Sequence, residues 1–414
     1  MSQRFGWLAR NTLGVMAWNV ARIGSQFVWV VLLARTLGAS GYGVFSGVVG
    51  LALVVGGFAG LGQGLRLYQD VARDQKLLFV RWNQATQVFA WSVLPIMAVF
   101  LWLAHGLFAI EWRVLIAIAL AEVGVTSVVS QVATAYAACG RMLPAAAAPV
   151  FLSLGKVLAA LILTVVSVPT LVIYVLLHMV MSVSSATLLL IKCKRDLGLR
   201  FGSVPLRLND IREGLGFAAI QSSSLAMTSL DKSFVLRAGG AAIAGNYSAA
   251  QRFASLVTIP VDALVFTALP RLFRIEQSRQ AHPRMMPMLV ASVLCYGGVA
   301  GASVWCGAPI VAWLLGSDFA SAGEAVRVLA LYVPIYCLRS LGVHVLLGIG
   351  ATRWRVLTDT LGIVIMGVAM NVLVPYLGLT GAAFGLVMTE SALALMVWFG
   401  YLTRRSDRLP CSSA

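Results

Sequence analysis

Seven ionisable side chains lie near the centres of long apolar runs: Arg22, Glu122, Lys156, His178, Arg252, Arg339 and Glu390. A charge in such a place costs about 2.5–3.5 kcal/mol on insertion scales, and more if it faces lipid. Seven of them imply a use, so these groups face protein or a water-filled chamber. Four are cations (Arg22, Lys156, Arg252, Arg339) against two carboxylates, with Asp262 and Asp359 nearer one membrane face. A chamber lined this way has a positive surplus and favours an anionic cargo. Guanidinium groups match phosphate in particular, which they grip with two parallel N–H bonds.

Helical spacing gathers these groups into polar stripes. Asn19, Arg22 and Gln26 fall at i, i+3 and i+7, and His178, Ser182 and Ser185 share another face. Gln221, Ser224, Thr228 and Asp231 or Lys232 form a third stripe. Ser248, Arg252, Ser255 and Asp262 form a fourth, and Tyr332, Tyr336 and Arg339 a fifth. Simpler roles stand beside the binding roles. Lys232 either contacts cargo or snorkels to the outer interface. Glu122 and Glu390 either neutralise a buried cation or carry protons. His178 either bridges helices by hydrogen bonding or carries a proton. Asp359 stands four residues after Arg355 and reads as a local helix pair.

The elements that must position these groups are membrane helices. Sixty per cent of the residues are hydrophobic and only 11% are charged, unlike a soluble domain. Apolar runs long enough to cross a hydrocarbon core about 30 Å thick recur from end to end. They predict an all-α polytopic membrane protein with spans at 12–34, 42–64, 84–104, 114–135, 145–167, 170–191, 214–236, 244–268, 286–306, 325–347, 355–376 and 381–402. The short alternating segments of a transmembrane β-barrel do not occur. The first span is too long, and too polar at its centre, for a cleaved signal peptide.

The net charge of +16 is a matter of topology and not of nucleic-acid binding. With the N-terminus inside, most of the 31 Lys and Arg lie on the cytoplasmic side, six of them in the loop after the sixth span (Lys192, Lys194, Arg195, Arg200, Arg207, Arg212). The outer turns hold only Arg35, Arg113 and Arg237. That asymmetry is the positive-inside rule, and it predicts both ends in the cytoplasm. The six cysteines show no CxxC spacing and read as small hydrophobes, so no metal site is expected.

The long basic loop 192–213 divides the chain into halves of six spans, 1–200 and 201–414. Sliding "LLARTLGASGYGVFSGVVG" (32–50) against "FVLRAGGAAIAGNYSAAQR" (234–252) pairs Arg35 with Arg237, Gly38 with Gly240, Gly43 with Gly245 and Phe45 with Tyr247. Each copy closes the first hairpin of a half. Six is even, so the two halves enter from the same side, a parallel repeat around a central cavity. Pro95, Pro260 and Pro334 fall inside spans, and Gly297/Gly301 and Gly381/Gly385 offer close-packing faces.

On "LLARTLGASGYGVFS", "LDKSFVLRAGGAAIAGNYSAAQRF", "IVAWLLGSDFASAGEAVRVLA" and "NVLVPYLGLTGAAFG", the sequence resembles the Wzx-type oligosaccharide flippases. These are a branch of the MOP superfamily, which also holds lipid II flippases and MATE drug exporters. The resemblance implies twelve helices in two six-helix lobes, opening alternately to each side of a bacterial inner membrane. It implies a cargo of oligosaccharide on a polyprenyl diphosphate, moved from the cytoplasmic to the periplasmic leaflet. Arg22 and Arg252 match cationic positions of such cavities. No cofactor is implied, coupling to an ion gradient or potential replaces ATP, and a polysaccharide polymerase and chain-length regulator are the expected partners. Two other functions compete. A drug or solute antiporter of the same fold would carry cationic cargo and prefer acidic cavity residues. A membrane glycosyltransferase or polymerase would need a sizeable external loop, and the longest outer segment, about 307–324, is mostly apolar.

Overall fold

In the computed structural model the described residues are 2–261, 285–348 and 351–406. They are overwhelmingly helical and contain no strand. The helices are α1 (Ser2–Gly56), α2 (Gln63–Arg73), α3 (Leu78–Phe108), α4 (Trp112–Ala138), α5 (Met142–Val165), α6 (Leu171–Leu197), α7 (Leu208–Leu256), α8 (Met285–Cys306), α9 (Ala308–Leu315), α10 (Ala322–Leu329), α11 (Tyr332–Gly348) and α12 (Thr352–Ser406).

Seven of these are long and apolar enough to cross a membrane, or eight when the bent pair α10–α11 is taken as one span. The 45-residue and 50-residue stretches in α1 and α12 are too long for one crossing, since each residue rises only about 1.5 Å. Each breaks at one glycine, Gly38 (φ 67°) and Gly378 (φ 57°). α7 breaks likewise at Gly240 (φ 79°), and its arms carry too many polar groups to pass as apolar. The described residues form twelve helices, the number expected from sequence, and seven of them are clear apolar spans. The chain is a multi-pass membrane protein.

The hairpin closure expected after the first span is thus a single-residue corner inside an otherwise continuous helix. Gly38 and Gly240 occupy a region of positive φ and extended ψ that is nearly closed to other residues.

The chain forms two compact units, 1–229 and 230–414. In the first, Leu67 and Val71 of α2, Trp82 of α3, Val132 and Tyr136 of α4, Ala148 of α5 and Cys193 of α6 share one buried core. The linker after α6 belongs to this unit and its backbone is satisfied by amide side chains of α3. Asn83 Nδ2 donates to the Arg200 carbonyl at 3.1 Å and the Gly202 N–H donates to Asn83 Oδ1 at 2.8 Å. Gln87 Nε2 donates to the Gly202 carbonyl at 3.0 Å.

In the second unit, Gly297 and Gly301 of α8 let Pro334 and the Ala330 carbonyl approach closely, as their spacing predicts. α10 and α11 meet at a 45° bend just before Pro334. Val343 and Leu346 of α11 pack with Val397 of α12, flanked by Trp354 and Tyr401.

Candidate functional site

The first unit holds a buried polar centre. Its focus is Glu122, on a π-helical turn over Ala119–Val125 within α4. Such a wide turn is rare and turns a side chain out of the regular register, often at functional positions. Glu122 is 2% exposed. Its Oε1 accepts from Lys156 Nζ of α5 at 2.7 Å and faces His178 Nε2 of α6 at 2.9 Å. Oε2 accepts from Thr126 Oγ1 at 3.2 Å. The other ring nitrogen of His178 lies 3.3 Å from Ser182 Oγ, which donates to a neutral imidazole or accepts from a charged one.

Aromatic rings close this centre. Tyr174 stacks on His178, and Phe45 meets both edge-on, 5.1 Å from Tyr174 and 5.8 Å from His178 between centroids. Trp29 Nε1 of α1 donates to the Tyr174 hydroxyl at 2.6 Å, and Lys156 Nζ lies 5.7 Å over the Trp29 ring. Ser25 Oγ donates to Ser153 Oγ at 2.8 Å. One carboxylate therefore ties α4, α5 and α6 together, its charge is balanced on the spot by Lys156, and α1 joins them through Trp29 and Ser25.

Arg22 lies on the same face of α1 as Trp18, Ser25 and Trp29, one turn before the Ser25–Ser153 bond. It is half-buried, and among the described residues it makes no ion pair and no side-chain hydrogen bond. Asn19 and Gln26, its stripe partners, are exposed.

Behind Glu122 lies a cavity of about 160 Å³ lined by Thr126, Ser127, Ser130, Gln131 and Gln221 and by the glycine run 56–64. There the chain turns through Gly60 (φ 78°), Leu61 (φ 47°) and Gly62 (φ 72°). A β-carbon on Gly62 would overlap the Gly214 carbonyl, and one on Gly214 would overlap the Leu61 carbonyl. The glycines thus bring the two backbones into direct apposition at the start of α7.

A charge network fastens the same place. Arg66 Nη2 of α2 reaches Asp210 Oδ1 at 2.6 Å and Glu213 Oε2 at 3.1 Å. Arg81 Nε lies 2.7 Å from Asp70 Oδ2, and Gln63 Nε2 donates to the Asp210 carbonyl at 2.8 Å. Burial pushes the Asp210 carboxyl up, but the Arg66 hydrogen bond, the Arg207 N–H and the charges of Arg66 and Arg81 outweigh it. The group is held below the usual carboxylate range.

The second unit has its own centre. Arg339 of α11 donates to Glu390 of α12 and lies 5.2 Å over the Tyr336 ring. Lys232 Nζ donates to Asp231 Oδ1 at 3.1 Å, and the buried Tyr247 hydroxyl donates to Asp231 Oδ2 at 2.8 Å.

The expected site residues thus divide. Lys156, Arg339 and Lys232 each bring a counter-charge with them (Glu122, Glu390 and Asp231), so they contribute much less positive surplus than the sequence suggests. Arg22 carries its charge without one among the described residues. Arg252 is half-buried on α7. Asp262 lies outside the described residues. The aromatic cage of Trp29, Phe45 and Tyr174 and the Arg66–Asp210 pair went unread as functional features. In the sequence only the i, i+4 spacing of Arg66 to Asp70 hints at a network. Among the described residues, no three His, Cys, Asp or Glu gather to hold a metal ion.

This helical architecture is that of the MOP-superfamily transporters. The chain is similar over 96% of its length to a multidrug resistance MATE family transporter in its inward-facing conformation (96% of that chain, 16% identity, TM-score 0.71). It is similar over 94% to the lipid II flippase MurJ in an inward closed conformation (87% of that chain, 14% identity, TM-score 0.70). A third similar structure is a MOP superfamily transporter from Pyrococcus furiosus, described as having a binding pocket of reverse polarity (96% of this chain, 95% of that one, 16% identity, TM-score 0.59). At such identities the likeness establishes the fold. The sequence pattern of the polysaccharide biosynthesis protein family matches residues 8–276, and the chain belongs to that family. No individual curated protein matches it by sequence.

Proposed function

We propose that the protein is a flippase that moves polyprenyl-diphosphate-linked oligosaccharide repeat units from the cytoplasmic to the periplasmic leaflet of a bacterial inner membrane. It works by alternating exposure of a polar chamber, driven by an ion gradient or the membrane potential, and forms no covalent bond with its cargo. Membership of a polysaccharide biosynthesis family and a fold shared with a lipid II flippase support this reading. Two six-helix lobes divided near residue 200, cytoplasmic ends, and partnership with a polymerase and chain-length regulator belong to the same proposal.

The observation that carries it is Arg22: a permanent cation, half-buried in the first crossing, without an ion pair among the described residues. Such a group is costly in a membrane unless an anion arrives to meet it. Arg252, half-buried on α7, is the second candidate cation. Replacing either by Ala is expected to abolish surface glycan while protein level holds, and cells lacking the protein should accumulate lipid-linked repeat units on the cytoplasmic face. Normal glycan in both variants would refute the cargo role.

The fold it shares with a multidrug transporter supports a second reading as an antiporter of small solutes. Drug resistance that depends on the protein, with glycan unchanged in its absence, would favour that reading.

A further inference from the structure

The cavity behind Glu122 is walled by groups that suit an uncharged polyol. Its volume, about 160 Å³, is the share of about five waters in the liquid, the scale of a single sugar ring. Phe89 of α3 supplies a flat apolar wall, and Thr126, Ser130 and Gln131 of α4 and Gln221 of α7 supply polar ones. All of these residues belong to the first unit. The glycine run 56–64 brings few side chains to the lining, which leaves the recess open.

Much of the hydrogen-bonding capacity of this wall is unspent. Among the described residues, the Gln221 amide and the Ser130 hydroxyl make no hydrogen bond. Within the same set, Gln131 Nε2 donates to Thr86 Oγ1 at 3.2 Å and the side-chain oxygen of Gln131 accepts nothing. A carboxamide donates twice and also accepts on its oxygen, so one such group can meet two neighbouring hydroxyls at once. Two carboxamides and a hydroxyl beside an aromatic ring are complementary to a sugar, which shows hydroxyls at its edge and C–H groups on its face.

Charge narrows the class of sugar. Among the described residues Glu122 is the only charged group lining the cavity, and Lys156 Nζ, outside that lining, balances it at 2.7 Å. An apolar trough of about 470 Å³ shares Thr126 and Ser130 with the cavity, and no charged side chain among the described residues lines it. A uronate or a phosphorylated sugar would give up its water here without meeting a cation. An amino sugar would meet a carboxylate that is already engaged. Resting on the flippase reading above, we infer that this recess holds one uncharged sugar of the cargo's glycan, and that Gln131 and Gln221 read its hydroxyls. Sugar identity is then read at a neutral wall, apart from any charge on the cargo.

The experiment uses the purified full chain in nanodiscs and saturation-transfer NMR with a panel of methyl glycosides. The neutral members are those of glucose, galactose, rhamnose and N-acetylglucosamine, and the acidic member is methyl glucuronide. At least one neutral glycoside is expected to bind at least ten-fold more tightly than the glucuronide. Gln221→Lys should invert that preference, strengthening the glucuronide at the expense of the neutral sugar, an outcome that a misfolded variant cannot give. In a second arm, a diazirine-bearing form of the preferred glycoside on the unaltered protein should label residues within 85–89, 126–131 or 221–225.

A glucuronide bound as tightly as the neutral sugars, an unchanged preference in Gln221→Lys, or labelling confined elsewhere overturns the recess assignment. Should Gln221→Lys bind nothing, the labelling of the unaltered protein decides alone. A panel that does not bind at all also overturns the assignment, and surface glycan in cells lacking the protein then separates the two readings. Lost glycan leaves the flippase reading standing, and normal glycan refutes both together.

Discussion

Gly38 and Gly240 share one backbone conformation, φ 67° and ψ −177° at the first and φ 79° and ψ −179° at the second. Each is the point where a long helix turns its corner after the first crossing of a half. The correspondence continues seven residues further along each helix, where Phe45 packs on Tyr174 and His178, and its counterpart Tyr247 bonds Asp231. Both halves place a large ring at this position against a polar centre.

Gly38→Ala and Gly240→Ala are each expected to lower stability by about 1–3 kcal/mol through backbone strain, at Gly240 without any crowding. Nothing lies within 4 Å of a β-carbon built on Gly240, so space is not the cause. Gly24 has equally open surroundings without a positive φ, and Gly24→Ala should be neutral or stabilising. Thermal unfolding of the three variants in detergent decides the matter, and equal melting points would contradict the strain argument.

Glu122→Gln leaves the Lys156 cation without its carboxylate in a nearly dry site. Breaking such a pair from one side costs about 3–5 kcal/mol. Adding Lys156→Met to Glu122→Gln removes the stranded charge and should recover much of that loss. A double-mutant cycle read by unfolding checks this; strictly additive effects would show that the pair is not coupled.

Arg22→Lys separates charge from shape. Lysine offers a point charge where arginine offers a planar fork, so the lysine variant is expected to keep part of the export activity and the alanine variant none. Surface glycan measured at matched protein levels supplies the test. Full activity in Arg22→Lys would mean that charge alone suffices.

Asp210 sets an acid limit on the fastening at the start of α7. Its folded-state carboxyl is depressed by Arg66, so its contribution is complete above the unfolded value of about 3.9 and is lost as pH falls through the folded one. The protein should therefore lose melting temperature below about pH 4. Asp210→Asn should start lower at neutral pH and show a shallower decline over that interval. Parallel curves for the two proteins would exclude this carboxylate as the titrating group.

Much of this was legible in one dimension because hydropathy is a local property. The spans, the paired corners at Gly38 and Gly240 and the mid-span charges could all be read by eye. Which cation meets which carboxylate could not. Lys156 and Glu122 are joined by the packing of α4 on α5, and Arg339 and Glu390 by that of α11 on α12, and neither follows from spacing along one helix. The π-helical turn that presents Glu122 leaves no mark in periodicity. The polar arms of α7 show the converse failure, since hydropathy alone underrates a crossing whose face carries Gln221, Ser224 and Thr228.

The apposition of Gly62 and Gly214 bears on how the gene tolerates interruption. Backbone pressed on backbone, with Arg66 and Asp210 riveted beside it, makes the stretch from 198 to 207 a seam and not a leash. Two polypeptides made separately, with the break placed there, should find one another in the bilayer and co-purify.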